Sequence, residues 1–284
     1  MNIYNDNGRF ISILSDYGFK ATFGNESNTL FLRHSLQALI KSPIPIKDVS
    51  FIKNTVDGFT VDSRNGTYDL SCIDENDNHF IVEMQLSHFP NFIHRMKFYA
   101  LYKYNTLVKR GKYSFDNLPK IYCIGILAKS IFPEVKDYHN IATMRNEKGE
   151  EIDNQITYIT LELDKFTKRL KSITTDLDKL IFIMKTLHKT KNQKQFPQFY
   201  NEDWLKSAIE ELDTKSMTPE KRMAYEMLIA QNAAAIYGEK KKIEQMQIRA
   251  IEKALKIKKL TVEEIAELNE VSIDFVLDVQ NSLI

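Results

Sequence analysis

Three polar side chains on two short stretches carry the clearest chemical signal. In 67–73, Asp69 and Ser71 alternate with Tyr68, Leu70 and Cys72; in 79–85, Glu83 and Gln85 alternate with Phe80, Val82 and Met84. A period of two is that of a β-strand with one apolar face. The polar cluster Asp74-Glu75-Asn76-Asp77-Asn78 between them predicts a hairpin turn. Pairing the apolar faces brings Asp69, Glu83 and Gln85 together on the other side. Opposed residues of such a pair have Cβ atoms about 4.5–5.5 Å apart, and two carboxylates that close repel unless positive charge lies between them. A hard divalent cation such as Mg²⁺, which takes carboxylate and water oxygens, removes the conflict. The register sets a condition. Asp69 faces Glu83 only across a loop of odd length, three residues (75–77) or five; an even loop puts Met84 or Val82 there instead. A three-residue loop with Asn or Asp in the left-handed region suits the sequence. Ile73 and Ile81 share the acids' face by parity, so that face is expected to be partly covered, which raises the cost of unpaired carboxylates. The plainer alternative is an amphipathic hairpin whose acids simply face solvent.

Other elements must hold this hairpin in place. Apolar spacing predicts a helix over 28–40, stopped by Pro43 and Pro45, and another over 91–110 after Pro90. The run KIYCIGIL (120–127) is apolar enough for a strand buried on both faces, and ITYITLEL (156–163) is a further strand. Beyond Lys165 the pattern turns helical, with segments at 176–188 and 202–212. A long run towards Lys259 follows, capped by Thr218 with Pro219 in its first turn. Thr261-Val-Glu-Glu264 is a capping box, and Ser272 caps a last short helix.

Composition limits the alternatives. The chain has 284 residues, 43% hydrophobic and 27% charged, with a net charge of +1. These are values of a folded chain long enough for two domains. A globally basic nucleic-acid binder is not signalled, so basic surface must be local. No GxGxxG or GxxxxGK[ST] is found. Cys72 and Cys123 are too few and too far apart for a disulfide framework or a cysteine zinc site. They favour a reducing, cytoplasmic setting. The first 16 residues lack the plan of a signal peptide, and the longest apolar runs are too short to span a membrane. His88 and His94 lie near the hairpin without a histidine metal spacing.

The arrangement Asp69…Glu83-Met84-Gln85 resembles the PD-(D/E)XK nuclease core. More specifically, the chain resembles the recombination-promoting nuclease and transposase family of that superfamily. The resemblance rests on Asp16-Tyr-Gly-Phe-Lys20 with Phe23-Gly24, Tyr68-Asp69-Leu70 and Phe80-Ile-Val-Glu-Met-Gln85. It continues through Arg95…Tyr99, Gly111-Lys-Tyr113, the strand at 121–127 and Leu161-Glu-Leu163…Lys165-Phe166. It implies an α/β fold: a restriction-endonuclease-like core, a small mixed sheet flanked by helices, over 1–165. A helical extension would occupy 166–284. It implies metal-dependent hydrolysis of DNA, with Asp69 and Glu83 holding Mg²⁺ (or Mn²⁺), the Met84 carbonyl completing the shell and Gln85 in the catalytic set. Gln commonly replaces the motif lysine in this family, but an amide can only orient water or phosphate. Asp16 and Lys20 are implied accessory residues, although Asp16, Phe19, Lys20 and Phe23 stand at i, i+3, i+4 and i+7 on one helical face, and packing of the two Phe is the stronger reason for that segment. Arg95 and Tyr99, four apart on one helix face, reach a DNA phosphate or brace the acids; an Arg–Tyr packing pair is the alternative.

The expectation is therefore a Mg²⁺-dependent deoxyribonuclease tied to recombination or mobile elements. The alternative is a catalytically weak DNA-binding or protein-interaction module that keeps the nuclease fold. The helix at 91–110 carries Lys97, Lys103, Lys109 and Arg110 and no acid, a local stripe suited to phosphate. Residues 239–259 hold eight Lys or Arg against three Glu, and 260–284 hold six acids and no Lys or Arg. Such an acidic helix pair suits a protein partner or a second copy better than a DNA groove.

Overall fold

The computed structural model describes residues 8–56, 66–108, 118–257 and 259–282. It comprises two compact units, Met1–Met217 and Thr218–Ile284. The helical segment from Lys165 to Met217 belongs to the first unit, so that unit runs past the position where the sequence turns helical. The cause is packing: α4 (Asp176–Thr186) and α5 (Asp203–Leu212) pack on α1 (Asp16–Thr22) and α2 (Leu30–Ile40). Arg9 adds a bidentate ion pair to Asp213, and the Ile11 amide donates to the Leu212 carbonyl at 2.9 Å.

The centre of the first unit is a mixed six-stranded sheet. Its strands are β1 (Val49–Phe51), β4 (Leu70–Asp74), β5 (His79–Gln85), β6 (Ile121–Leu127), β7 (His139–Arg145) and β8 (Glu151–Glu162), in the order β1-β4-β5-β6-β8-β7. A two-stranded ladder, β2 (Thr55–Val56) and β3 (Gly66–Thr67), stands apart. β5, β6 and β8 run parallel. The β5–β6 crossover is α3 (Phe92–Leu107), as a parallel pair requires a long connection. The mixed sheet with flanking helices agrees with the fold read from the sequence. Within the six-stranded sheet the two strands not anticipated are its edge strands: β1 has three residues, and β7 is largely exposed with no apolar face to betray it. The short β2 was not anticipated either.

Both faces of the inner strands are covered. Ile81, Cys123 and Leu127 point to α3 and pack with Phe92, Met96, Tyr99 and Ala100. Val82, Ile124, Ile126 and Leu161 on the other face are also fully buried. Two glycines allow close approach. A Cβ on Gly125 would lie 2.3 Å from the Phe92 ring, and one on Gly18 would lie 1.9 Å from the Ser12 carbonyl oxygen.

The hairpin turn is built by Asp74. Its carboxylate accepts from the Asn76 and Asn78 amides, each at 2.9 Å, and from the Asn78 side chain at 2.8 Å. Asp77 takes the left-handed conformation, φ 61°, which Asp tolerates better than most residues. With Ile73 opposite His79 and Leu70 opposite Val82, the Asp74 amide donates to the Asn78 carbonyl at 3.1 Å and leaves a loop of three residues, 75–77.

The second unit is helical. α6 (Pro219–Ile257) is followed by α7 (Val262–Leu268) and α8 (Ile273–Asn281). Thr261 and Glu264 form the reciprocal capping box, and the Ser272 hydroxyl accepts from the Phe275 amide. Ile251 of α6 packs with Ile265, Ala266, Val276 and Val279 of the short pair. The two short helices thus bury their apolar stripes against the end of α6 and leave their acids outside.

The contact of Gly125 with Phe92 holds α3 on the sheet. Gly125→Ala is expected to lower unfolding free energy by about 1–3 kcal/mol, the usual cost of overpacking, in urea denaturation followed by circular dichroism.

Candidate active site

Extending the β4–β5 register by one residue sets Asp69 opposite Glu83. The strand expected over 67–73 is interrupted, however: β3 ends at Thr67, Asp69 lies in a bend, and β4 begins at Leu70. The bend frees the Asp69 amide from the ladder, and it donates to Glu83 Oε1 at 3.2 Å. In return the Met84 amide donates to Asp69 Oδ2 at 2.7 Å. Each acid is thereby fixed by backbone next to the other. The bend also turns Tyr68 away from the Leu70 and Cys72 face on which strict alternation would place it. Its ring meets Tyr99 edge-on at 4.7 Å, in the core beneath α3.

Arg95 supplies the local positive charge. Its Nη2 donates to Glu83 Oε2 at 2.7 Å and to Gln85 Oε1 at 3.2 Å. The guanidinium lies 5.0 Å from the Phe89 ring centre and 5.4 Å from that of Phe92, geometry suited to cation–π attraction. Its Nε is buried and finds no partner among the described residues. Tyr99, one turn on, donates to the Thr67 carbonyl at 3.4 Å and so holds the strand that leads into Asp69. The Gln85 amide donates to Ser87 at 3.3 Å.

The electrostatics show strain between the acids. Burial and then the neighbouring Asp69 push the Glu83 carboxyl up to about 7, against the opposing pull of Arg95 and the Asp69 amide. Asp69 is open to solvent as a residue, yet its carboxyl is also raised, first by loss of hydration. The Met84 amide and Arg95 pull it down, Asp16 pushes it up, and Lys20 pulls it down. The charges of Asp16 and Lys20 on α1 therefore bear on the site. The same helix stacks Phe19 on Phe23 at 4.8 Å, both buried, so packing and placement coexist there.

The histidines stay out of this cluster. His88 Nδ1 meets the Ser130 carbonyl at 3.0 Å, and His94 lines a cleft on another side of α3. Lys109, Arg110 and Gly111-Lys-Tyr113 lie outside the described residues. Sequence reading missed the rings of Phe89 and Phe92 that frame Arg95. It also passed over Gly125, although a lone glycine inside an apolar strand is a sign of close approach.

The donor set decides which ion fits. Among the described residues no group of three or more His, Cys, Asp or Glu side chains is placed to hold a metal. A closed zinc cage is therefore not built here, whereas Mg²⁺ characteristically binds through one or two carboxylates, waters and a substrate phosphate. Asp69 with Glu83 matches that requirement.

A mixed sheet carrying a bent strand, an acid pair across a hairpin and a cation from the following helix defines a nuclease-like protein. The family model for PD-(D/E)XK nuclease family transposases matches residues 13–233, and the chain belongs to that family. Nucleases of this superfamily generally use divalent metals. No curated protein and no solved structure matches the chain. Among the described residues no helix is long and apolar enough to cross a membrane.

The raised Glu83 carboxyl has a thermodynamic consequence. Between the ordinary glutamate range and about 7 the folded chain holds a proton that the unfolded chain has released. Glu83's effect on stability therefore becomes less favourable as pH rises through that window. Urea denaturation at several pH values is expected to show this fall in the metal-free protein and a shallower one in Glu83→Gln.

Proposed function

We propose that this protein is a divalent-metal-dependent DNA endonuclease, acting in recombination or on mobile elements. The observation that carries the reading is the coupled pair: Asp69 and Glu83, each bonded to the other's strand and both raised in pKa. Two acids that would release strain on meeting a cation are what a Mg²⁺ or Mn²⁺ site needs. Asp69 and Glu83 would hold the ion, with the Met84 carbonyl as a further donor. An ion held there would lower the pKa of a bound water and neutralise phosphate charge.

The chain's own residues supply the rest. The motif lysine is absent from β5, where Gln85 stands, and the positive charge comes instead from α3 through Arg95. Arg95 keeps Glu83 and Gln85 oriented, and the Gln85 amide positions the water or the scissile phosphate. Tyr99 and Arg95 hold the bent segment and the β5 strand together; Asp16 and Lys20 tune Asp69 from α1. α3 carries no acid over its length, so the exposed Lys97 extends a phosphate-binding face. The free thiols of Cys72 and Cys123 suit a reducing, cytoplasmic setting. We assign the acidic short helices of the second unit to a protein partner or a second copy.

A second reading is favoured by one observation. Arg95 is already engaged with Glu83 and Gln85, so no lysine or arginine of the hairpin itself faces an incoming phosphate. On this reading the chain is a weakly catalytic DNA-binding or interaction module. The test separates the two. Supercoiled plasmid is expected to be nicked or cut with Mg²⁺ or Mn²⁺ and left intact with chelator, and Asp69→Ala and Glu83→Ala are each expected to abolish the reaction. Arg95→Gln, which removes an outer partner of the metal site, is expected to lower the rate by about 10- to 100-fold. Plasmid left intact by wild type, or cut equally by wild type and the two alanine variants, would favour the second reading.

A further inference from the structure

A cleft of about 420 Å³ opens on the α3 side of the sheet, over β8 and β7. Its floor is in line with the acid pair. Glu83 pairs with Gly125, Gly125 with Thr160, and Thr160 with Asn140, so one cross-strand row runs from the acids into the cleft. The Phe92 ring sits over Gly125 as a partition between them. Thr160 lies two strands from Glu83, roughly 10 Å at the usual spacing. That distance corresponds to about two or three nucleotides of a stacked strand.

The lining suits a flat, mostly apolar ring with polar edges. Ile93, Ile131, Phe132 and Tyr158 supply apolar and aromatic surface, while Thr160 and Asn140 offer polar groups on the floor. The Asn140 amide nitrogen donates to the Asp137 carbonyl at 3.2 Å and to the Thr160 hydroxyl at 3.5 Å; its amide oxygen accepts nothing among the described residues and is the group left for a ligand. His94 and Lys97 stand at the cleft on the acid-free helix α3, so the rim favours a phosphate backbone and the interior a base. The wall is preset. The fully buried Glu162 accepts from the Ser130 hydroxyl at 3.0 Å and from the Ile131 and Phe132 amides at 2.9 and 3.0 Å, and it pairs with Lys165.

We propose that this cleft receives one unstacked base of the DNA strand whose phosphate meets Asp69 and Glu83, an inference that rests on the nuclease reading. Bases splayed from a strand are held in this manner, by aromatic surface and a cationic rim.

The test uses the full chain made inactive by Asp69→Asn and a fluorescent single-stranded oligodeoxynucleotide of roughly 12 nucleotides. An abasic strand of equal length and charge is compared with it. The base-bearing strand is expected to bind about tenfold tighter. Ala142→Trp, which fills the cleft from an exposed edge strand, should bring that ratio close to one without changing abasic binding. Asn140→Ala should lower the ratio too, guarding against misfolding of the first variant, and Lys97→Ala should weaken both strands alike. A ratio of one in the Asp69→Asn parent, a ratio indifferent to both cleft variants, or no strand binding overturns the proposal. Plasmid cleavage separates the two ideas: indifference to the cleft variants with metal-dependent nicking intact sinks the cleft alone. Cleft-dependent base preference without nicking sinks the nuclease reading alone.

Discussion

The site depends on holding two carboxylates together in a place where they repel. Asp69 and Glu83 are tolerated because the protein backbone supplies a hydrogen bond to each carboxylate. Each accepts a backbone amide from the segment that carries the other, and Arg95 compensates part of the charge on Glu83. That exchange exists only in one register. The Asp74-centred turn fixes the count of loop residues at three, and a slip of one position would carry Glu83 to the opposite face of the sheet. A polar turn some distance from the chemistry is therefore part of the machinery.

Helix α3 is the second point of dependence. One face carries Arg95 and Tyr99 over the acids, while Ile93, His94 and Lys97 line the cleft over β8. The helix is seated by Phe92 on Gly125, the residue directly paired with Glu83. A single close contact thus positions both the cation of the acid pair and the partition of the cleft. The buried Glu162–Lys165 pair does the corresponding work on the far side, where it clamps the turn after β6. Replacing Lys165 would strand the fully buried Glu162 carboxylate, which is why the partly exposed lysine stays paired to it.

Charge is distributed in the same economical way. The near-neutral total of +1 is a sum of unlike regions: an acid-free α3, a basic stretch in α6 and an acidic pair of short helices. In the second unit three of the six acids in 260–284, Glu263, Glu264 and Asp274, sit in first turns, where they favour the local dipole, while the apolar stripe packs on α6.

The sequence by itself determined the hairpin, its polar turn and the condition that Asp69 faces Glu83 only across an odd loop, because strand alternation and turn chemistry are local and have period two. That the loop is odd was decided by the folded register. It likewise determined the capping box at Thr261 and the cap at Ser272. The edge strands β1 and β7 were illegible, since short or exposed strands carry no apolar period. The bend at Asp69, which turns Tyr68 into the α3 core and frees an amide for Glu83, was decided by tertiary packing. So was the addition of α4 and α5 to the first unit: helical periodicity marks an apolar stripe but not which neighbour covers it. The source of the site's positive charge was decided in the same way. Gln85 announces that a lysine is missing from the strand, but only the fold, by laying α3 across β5, shows that Arg95 stands in its neighbourhood.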